Sequence, residues 1–350
     1  MHNLAVAPDL VILVGVGVNQ ILDETDLDEL ALLCQTCNLR VVGRVVQNRK
    51  DIDVTYYVGK GKVDEIKQMI EQTQATAVVF DVELTGSKVR NLSDALGVPV
   101  LDRSQVILDI FAQRAQSAEG KLQVELAQLR YNLPRLAGVG GNLGKMRNGV
   151  GMRGPGEKKL ELDKRLIRDQ IAALEKQLVA VKKVRATGKA QRGQSFRVCL
   201  VGYTNSGKST LFNTLTKADV YAKDELFATL DTTTRAIYLD GKRFVLTDTV
   251  GFVSRLPHEF IRAFESTLDE TREANLFLHV VDCSYPEWEQ QVAVVNGVLA
   301  NLGATGIPQL VLYNKIDQNP DFVVPEGGMA ISAKHKIGID QLKSRIYELI

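Results

Sequence analysis

A glycine-rich stretch in the second half of the chain has the residue types and the spacing that hold phosphate groups. Its residues are Gly202, Tyr203, Thr204, Asn205, Ser206, Gly207, Lys208 and Ser209. An apolar run precedes it and a helical pattern follows it, which is the context that the G-x-x-x-x-G-K-[ST] motif requires. The glycines let backbone N–H groups point at phosphate oxygens, the lysine meets the β- and γ-phosphates, and the last serine ligates Mg²⁺. The stretch therefore predicts a nucleotide site that uses Mg²⁺.

Three more loops follow apolar runs that we predict to be strands. They contain Asp248, Thr249, Val250 and Gly251, then Asn314, Lys315, Ile316 and Asp317, and finally Ser332, Ala333 and Lys334. The aspartate of the first loop can hold Mg²⁺ through a water, and its glycine can present an N–H to the γ-phosphate. All these loops come at the carboxyl ends of predicted strands, where an open α/β sheet binds its ligand. We therefore expect one sheet edge to collect them around the nucleotide.

The Asn314–Asp317 loop indicates which base is bound. Guanine presents two neighbouring N–H donors, and an ionised carboxylate such as that of Asp317 accepts both. Adenine presents an acceptor at one of these places, and the unmatched pair would cost ~1–3 kcal/mol in a buried pocket. Lys315 can lie over the base plane, and the Ala333 N–H can meet the guanine oxygen. The four loops together predict a GTP-binding domain.

Two residues bear on hydrolysis. Phe252 stands where Ras-like GTPases carry the glutamine that orients the attacking water. Phenylalanine cannot hydrogen-bond a water, so we expect slow hydrolysis by the free protein and assign no catalytic side chain. Asn205 resembles the asparagine of GTPases that use K⁺ where others use an arginine finger. The alternative is that Asn205 only shapes the loop, and both interpretations stay open.

Composition places the chain in an ordinary class. Its 350 residues predict two or three domains, and 45% hydrophobic with 24% charged residues is typical of a globular protein. The N-terminus lacks a basic segment followed by a long apolar one, and no apolar run approaches the ~18 residues of a membrane span. Four cysteines do not make a disulfide framework. We expect a cytoplasmic monomer.

The near-neutral net charge hides a basic segment. Residues 121–200 contain 18 Lys and Arg against 6 Asp and Glu. Such asymmetry indicates a polyanionic partner, although a solvated helix face without a partner is the usual alternative. The stretches 130–153 and 176–197 contain no acidic residue at all. We therefore favour an RNA contact, with Lys145, Arg147 and Arg153 as candidates.

The patterns divide the chain into three parts. Residues 1–102 alternate strands and helices and predict a small parallel α/β domain. Residues 103–190 predict a hairpin of two long helices, the first over 104–133 and closed by Pro134, the second from Glu157 to about Val184. A basic loop over 137–156, with eight glycines, joins them. Residues 191–350, entered through a linker at 187–193, form the predicted P-loop GTPase domain.

Several of these motifs resemble the HflX GTPases, a ribosome-associated family of the translation-factor-like class. The resemblance rests on residues 58–63, 108–114, 119–129, 151–157, 202–209, 227–231 and 248–252. It implies binding to the large ribosomal subunit near the peptidyl-transferase centre, and splitting or rescue of stalled ribosomes. It also implies nucleotide contacts from a further segment, in which the threonine ligates Mg²⁺. That segment is Phe227, Ala228, Thr229, Leu230 and Asp231. From chemistry alone Thr232, Thr233 or Thr234 would serve equally well.

The chain departs from the family pattern in two ways. Residues 157–161 read Glu-Lys-Lys-Leu-Glu where the family usually has Glu-Thr-Gln-Leu-Glu, so the second hairpin helix begins with a more basic turn. Many relatives carry a further small domain after the point that corresponds to Ile350, and no function of that domain is expected of these residues.

Two other classes of function have less support in the sequence. A metabolic or RNA-modifying enzyme would need its chemistry within 1–102, where we find no paired carboxylates, nucleophile–histidine arrangement or metal cluster in the sequence. A second nucleotide site with RNA-remodelling activity has one support, the Lys60-Gly-Lys62 turn. A plain turn and helix start is the favoured interpretation of that turn.

Overall fold

The structure is a computed structural model, and it describes residues 9–136, 155–190, 195–216, 226–227, 232–239, 241–255 and 271–350. By its internal contacts the chain forms two compact units. The first comprises the chain up to Gln113 together with Val124–Lys176. The second comprises Arg114–Gln123 and Gln177–Ile350. The division of the sequence at residues 102 and 190 stays a prediction.

The first unit is built on a four-stranded sheet. Its strands are β1 (Leu10–Val18), β2 (Arg40–Arg49), β3 (Ala77–Phe80) and β4 (Val100–Asp102). The order is β2-β1-β3-β4 and every pair is parallel. The helices that connect the strands are α1 (Asp28–Thr36), α2 (Lys60–Thr73) and α3 (Gly86–Leu96). The predicted parallel α/β domain is therefore confirmed.

The sequences of the central strands agree with a sheet that is covered on both faces. The central strands β1 and β3 are buried along almost their whole length. Parallel strands need crossover helices, and these helices shield both faces, so a continuous apolar run replaces the alternation of a half-exposed strand. On one face the core joins Ile12, Val14 and Phe80 to residues of α2 and α3 such as Ile66 and Leu92.

A cluster of buried charges lies where β3 and β4 end. Arg103 is 3% exposed, and its guanidinium pairs with Asp81 (2.6 Å) and with Glu29. Asp102, which is fully buried, accepts a hydrogen bond from the Tyr131 hydroxyl (2.6 Å). Buried charges are tolerated only when they are paired in this way. Glu29 lies on α1, and Arg103 and Tyr131 lie on the two helices that follow β4. The cluster therefore holds these three helices against one edge of the sheet.

The single helix predicted over 104–133 is two helices. They are α4 (Arg103–Arg114) and α5 (Ala118–Arg135). Ser117 separates them, because its hydroxyl accepts the Gly120 N–H (2.8 Å) and its carbonyl accepts the Lys121 N–H (3.0 Å). A serine hydroxyl that satisfies an otherwise unpaired N–H in this way starts a new helix.

Two predicted helix ends were also wrong. Pro134 does not close α5, which continues to Arg135, where the guanidinium donates to the Leu84 carbonyl (2.8 Å) and to Asp102 (3.0 Å). These bonds hold the last turn in place. The second hairpin helix, α6, extends over Pro155–Ala190 and so includes the start of the predicted linker. Arg130 of α5 and Glu175 of α6 are ion-paired at 2.7 Å.

The second unit is built on a six-stranded sheet. Its strands are β5 (Phe196–Gly202), β6 (Thr233–Leu239), β7 (Lys242–Asp248), β8 (Leu276–Asp282), β9 (Gln309–Asn314) and β10 (Met329–Ala330). The order is β10-β9-β8-β5-β7-β6, and only β6 is antiparallel to its neighbour. Helices in this unit include α7 (Lys208–Thr216), α8 (Trp288–Asn301) and α9 (Ile339–Leu349).

Four of these strands, β5, β7, β9 and β10, were predicted from their apolar runs, whereas β6 and β8 were not. Strand β8 pairs with both β5 and β9, so it lies in the middle of the sheet. Its buried run from Leu276 to Val281 gives it the pattern of a parallel core strand. Strand β6 lies at the edge and is only partly buried. Among the described residues no helix is long and apolar enough to cross a membrane.

Candidate functional site

The carboxyl ends of β5, β7, β8 and β9 meet at one edge of the second sheet. The chain leaves β5 at Gly202, β7 at Asp248 and β9 at Asn314. Neighbouring parallel strands bring these ends together, with the next loop, at Ser332, following edge strand β10. The structure therefore collects the four predicted loops at a single edge, as expected of a ligand site in an open α/β sheet.

Two glycines allow the phosphate loop to turn. Gly202 and Gly207 have φ values of +155° and +96°. A methyl group at Gly207 would lie 2.2 Å from Asn314 Nδ2, and one at Gly202 would lie 2.3 Å from the Val280 carbonyl oxygen. Both positions thus combine a backbone conformation that favours glycine with a lack of space for a side chain.

Lys208 is the buried cation of the site. It opens α7, it is 6% exposed, and its ammonium donates to the carbonyls of Tyr203 (2.6 Å) and Gly202 (3.1 Å). Burial lowers the pKa of this ammonium to about 8, and the Asp248 carboxylate opposes the shift. A buried ammonium at a helix N-terminus is suited to an anionic ligand. Negative charge from the ligand would stabilise the ammonium, which has lost its water, and would also interact favourably with the partial positive charge of the helix N-terminus.

Ser209 and Asp248 form the second polar pair of the loop. The serine hydroxyl donates to Asp248 Oδ2 at 2.8 Å. A hydroxyl and a carboxylate are hard oxygen donors, and Mg²⁺ binds through one or two such groups together with waters and phosphates. These two residues therefore fit Mg²⁺, which would neutralise phosphate charge when bound.

The segment implied by the family resemblance is described only at its first residue. Phe227 is 1% exposed, its φ is +53°, and its N–H donates to Thr204 Oγ1 (2.9 Å). The remaining predicted residues, Ala228, Thr229, Leu230 and Asp231, lie outside the described residues. The RNA-contact candidates Lys145, Arg147 and Arg153 lie outside them as well, and so does most of the glycine-rich loop.

Asn314 joins the phosphate loop to the base-reading loops. Its Nδ2 donates to the Ser206 carbonyl (2.8 Å), and its Oδ1 accepts the Ala333 N–H (2.9 Å). Asn314 is 2% exposed, so both bonds are shielded from water. The Ala333 N–H, which the sequence analysis assigned to the guanine oxygen, would have to share this bond with the base.

Lys315 and Asp317 follow the carboxyl end of β9, at the same edge of the sheet. A hydrogen bond from Ser332 is the main cause that holds the pKa of Asp317 below its usual value, so the carboxylate is ionised at neutral pH. Lys315 has a φ of +66°, and its ammonium pairs with Asp282 Oδ2 at 2.7 Å. An acceptor-only carboxylate beside a fixed ammonium can read the two donors of guanine.

Two residues of the site were not identified from the sequence. Asp282 positions Lys315, and His335 lies 3.5 Å from Asp317 between Nε2 and Oδ2. Asp282 ends β8, so a prediction of β8 would have placed a carboxylate at the ligand edge. His335 follows the Ser332–Lys334 loop directly.

Comparison with known proteins agrees with this geometry. The families described as GTP-binding GTPase N-terminal, GTP-binding GTPase Middle Region and 50S ribosome-binding GTPase match residues 24–112, 114–192 and 197–315. The GTPase HflX of Caldanaerobacter subterraneus subsp. tengcongensis is 48% identical, over 99% of this chain and 82% of that protein. This chain belongs to the HflX family of GTPases. The GTPase HflX of Escherichia coli is 44% identical, over 90% of this chain and 75% of its own length.

A solved structure shows the same fold as this HflX-family chain. The crystal structure of SsGBP with GDP aligns with a TM-score of 0.53 at 24% identity, over 97% of this chain and 98% of that one. The family relationship and the P-loop domain identify the activity as hydrolysis of GTP.

The burial of Lys208 predicts that the affinity of this HflX-family protein for GDP decreases above about pH 8. Free Lys208 loses its proton near pH 8, whereas bound phosphate favours the charged form and raises the pKa. Above that pH, binding has to take up a proton, so affinity should fall by up to about tenfold per pH unit. Calorimetric titration with GDP between pH 7 and 9, in buffers of different ionisation enthalpy, measures both the slope and the proton uptake.

Lys208→Arg is the matched control for this pH effect. Arginine stays charged over the whole range, so the variant should bind more weakly at every pH but lose the slope. A wild-type affinity that is constant from pH 7 to 9, without proton uptake, would contradict the assignment of a lowered pKa to Lys208.

Proposed function

We propose that this protein binds the large ribosomal subunit when it carries GTP, leaves it after hydrolysis, and by this cycle splits or rescues stalled ribosomes. The observation that carries the proposal is the joining of phosphate and base-reading loops at one edge, since Gly251 and Lys208 there can report the γ-phosphate. Relatives named GTPase HflX and the 50S ribosome-binding description of residues 197–315 support the choice of partner. A ribosomal partner implies action in the cytoplasm.

Charge supports an RNA partner. The basic segment 121–200 includes α6, where Arg165, Arg168 and Lys176 are exposed while Leu174 and Leu178 are buried. On the accessible side of the helix these basic residues lie among the exposed acidic residues Glu161, Asp169 and Glu175, so the positive excess of the basic segment lies outside residues 161–181. Lysines and arginines in those flanking parts would neutralise phosphates and release counterions, so binding should depend strongly on salt.

Co-sedimentation with purified ribosomal subunits tests the proposal. Binding to the large subunit should be strong with a non-hydrolysable GTP analogue and weak with GDP. If three phosphates are contacted, raising the salt from 50 to 200 mM should weaken binding by about 40-fold. Sucrose-gradient analysis of intact ribosomes with the GTP analogue then tests splitting, which should increase the free-subunit fraction.

A charge-reversed variant tests the basic loop. Arg147→Glu with Arg153→Glu should abolish subunit binding and leave the affinity for GTP intact. The control is Lys343→Glu with Arg345→Glu on α9, two basic residues that lie outside the basic segment and pair with acidic neighbours. Unchanged co-sedimentation of the first variant would exclude the loop from the interface, and equal binding with GTP analogue and GDP would contradict the proposed cycle.

A further inference from the structure

Asp282, the last residue of β8, connects two side chains at the ligand edge. Its Oδ2 pairs with the Lys315 ammonium at 2.7 Å. Its Oδ1 accepts both the Ser284 hydroxyl (2.6 Å) and the Ser284 N–H (3.0 Å). The side chains of Asp282 and Lys315 are only 15% and 20% exposed, so the pair is largely shielded from water. Ser284 therefore holds the carboxylate in one orientation, with its second oxygen directed at the lysine.

Other bonds fix the backbone around this pair. The Cys283 N–H donates to the Asn314 carbonyl (3.0 Å), and the Cys283 carbonyl accepts the Asn319 side-chain amide (3.0 Å). These bonds join the end of β8 to the chain on both sides of Lys315. Loss of the Asp282 charge should therefore release the lysine side chain and leave the Asn314–Asp317 loop in place.

The side chain and the backbone of Lys315 both indicate why a fixed partner matters. A free lysine side chain samples many rotamers, and a ligand that contacts it has to immobilise it at a cost in free energy. The backbone of Lys315 is in the left-handed region, with a φ of +66°, which lysine seldom adopts. Such an outlier points to a function of the residue that occupies it. Pairing with Asp282 immobilises this side chain before the nucleotide arrives.

We propose that Asp282, oriented by Ser284, is a positioning residue that sets the affinity for the purine base and leaves the choice of base to Asp317. The proposal rests on the base-reading role of the Asn314–Asp317 loop. A cation over the face of a ring makes no bond to the groups at the ring edge, so Lys315 should hold guanine and hypoxanthine about equally well. Asp317 accepts two donors from guanine but only one from hypoxanthine, which lacks the exocyclic amine.

Asp282→Asn breaks the ion pair and keeps the shape of the side chain. The amide oxygen has to take the place of Oδ1, where Ser284 provides two donors, so the NH₂ group faces the lysine. We expect the dissociation constants of GDP and of IDP, its hypoxanthine counterpart, to rise by the same factor of about 3–10, the cost of immobilising one long side chain on binding. Calorimetric titrations with each nucleotide in the presence of Mg²⁺ measure both constants.

Two results of these titrations would overturn the proposal. The first is an affinity for GDP that is unchanged or higher in Asp282→Asn. The second is a change in the ratio of the IDP and GDP dissociation constants. That ratio reports the bond between Asp317 and the exocyclic amine, so a change would mean that Asp282 supports the shape of the loop.

Lys315→Met tests whether Asp282 acts through the lysine. It removes the ammonium and keeps a flexible stem, and in this background Asp282→Asn should cause no further loss of affinity. Additive losses would overturn the proposal and leave the base-reading role of Lys315 intact. Unchanged affinity in Lys315→Met alone would overturn that base-reading role, and the proposal with it.

Ser284→Ala is a milder variant of the same test. It removes the hydroxyl bond to Asp282 and keeps the N–H bond, so GDP and IDP should both bind more weakly, in equal proportion and by less than in Asp282→Asn. Asp340→Asn is the matched control, because Asp340 pairs with Lys343 (3.1 Å) on α9 and its side chain is 94% exposed. Its affinities should equal those of the wild type.

The fluorescence of Trp288 checks that the loop is intact in every variant. It is the single tryptophan of the chain, and it packs edge-on against Tyr313, the residue before Asn314, with ring centroids 5.3 Å apart. The emission of the free protein should be the same in all variants. If Asp282→Asn alters it, Ser284→Ala decides the question, since that variant keeps the carboxylate, and a wild-type affinity or an altered IDP-to-GDP ratio in it would overturn the proposal.

Discussion

Replacing Asp317 with asparagine is expected to weaken GTP binding by about 10²–10⁴-fold, because two hydrogen bonds to a charged group are each worth roughly 1.5–3 kcal/mol. Affinity for XTP should rise at the same time. Xanthine carries a carbonyl where guanine carries an amine, and the new amide donates to that carbonyl. Competition of GTP and XTP against fluorescent GDP measures the change in selectivity.

The structure explains why this position should be so sensitive. Asp317 is kept ionised by Ser332, the first cause of its lowered pKa, with His335 and Lys334 nearby as cations or potential cations. The ionised carboxylate of Asp317 therefore has only hydrogen-bond acceptors to offer the base. Lys315 is fixed by Asp282 and leaves the carboxylate as the discriminating group of the loop.

An aspartate elsewhere in the same unit provides the control. Asp321 is exposed, so Asp321→Asn makes the same chemical change outside the base-reading loop and should keep the selectivity of the wild type. If Asp317→Asn still prefers GTP over XTP to the wild-type extent, Asp317 does not read the base.

The loops of the ligand edge were predictable because each follows a buried apolar run and has fixed residue types. Gly202, Lys208 and Asp248 are constrained by what a phosphate and a cation require, so sequence alone places them. The same reasoning missed β8, although its apolar run is as clear as that of β5. With β8 unassigned, Asp282 could not be placed beside Lys315.

Contacts between distant side chains and backbone groups were not predictable. The bond that the Tyr203 hydroxyl accepts from the Ser254 N–H (2.7 Å) depends on the path of the chain after β7 ends at Asp248, which no residue pattern encodes. The break between α4 and α5 is different, since a serine such as Ser117 before a helical pattern is a known helix start. The apolar spacing continues across Ser117 without a break, so it predicts one helix where the capping residue starts a second.

The second large effect is expected in the rate of GTP hydrolysis, and it follows from Phe252. Its side chain is buried, and it has no group that could orient a water. Arg235 is exposed, and its guanidinium donates to the Thr234 carbonyl of its own strand (3.2 Å). The free protein should therefore hydrolyse GTP at about 10⁻⁴–10⁻² s⁻¹, in the range of unassisted Ras-like GTPases.

K⁺ is the other candidate contributor to hydrolysis. Asn205 has a φ of +60°, a conformation that asparagine adopts more readily than most residues. This supports a role in shaping the loop, and we propose that its side chain also places K⁺ near the phosphates. Under that proposal Asn205→Gly keeps the backbone conformation, but the rate of GTP hydrolysis should no longer differ between K⁺ and Na⁺.

Single-turnover assays in K⁺ and in Na⁺, each with and without large ribosomal subunits, separate these contributions. A partner that supplies the missing transition-state group gives about 10³–10⁵-fold in Ras-like GTPases, so we expect a stimulation by subunits far outside experimental error. A rate that rises in K⁺ without subunits, and that no longer rises in Asn205→Gly, would assign the effect to Asn205. A fast rate in Na⁺ without subunits would show that the chain already contains a complete catalytic set, and that Phe252 does not leave the site dependent on a partner.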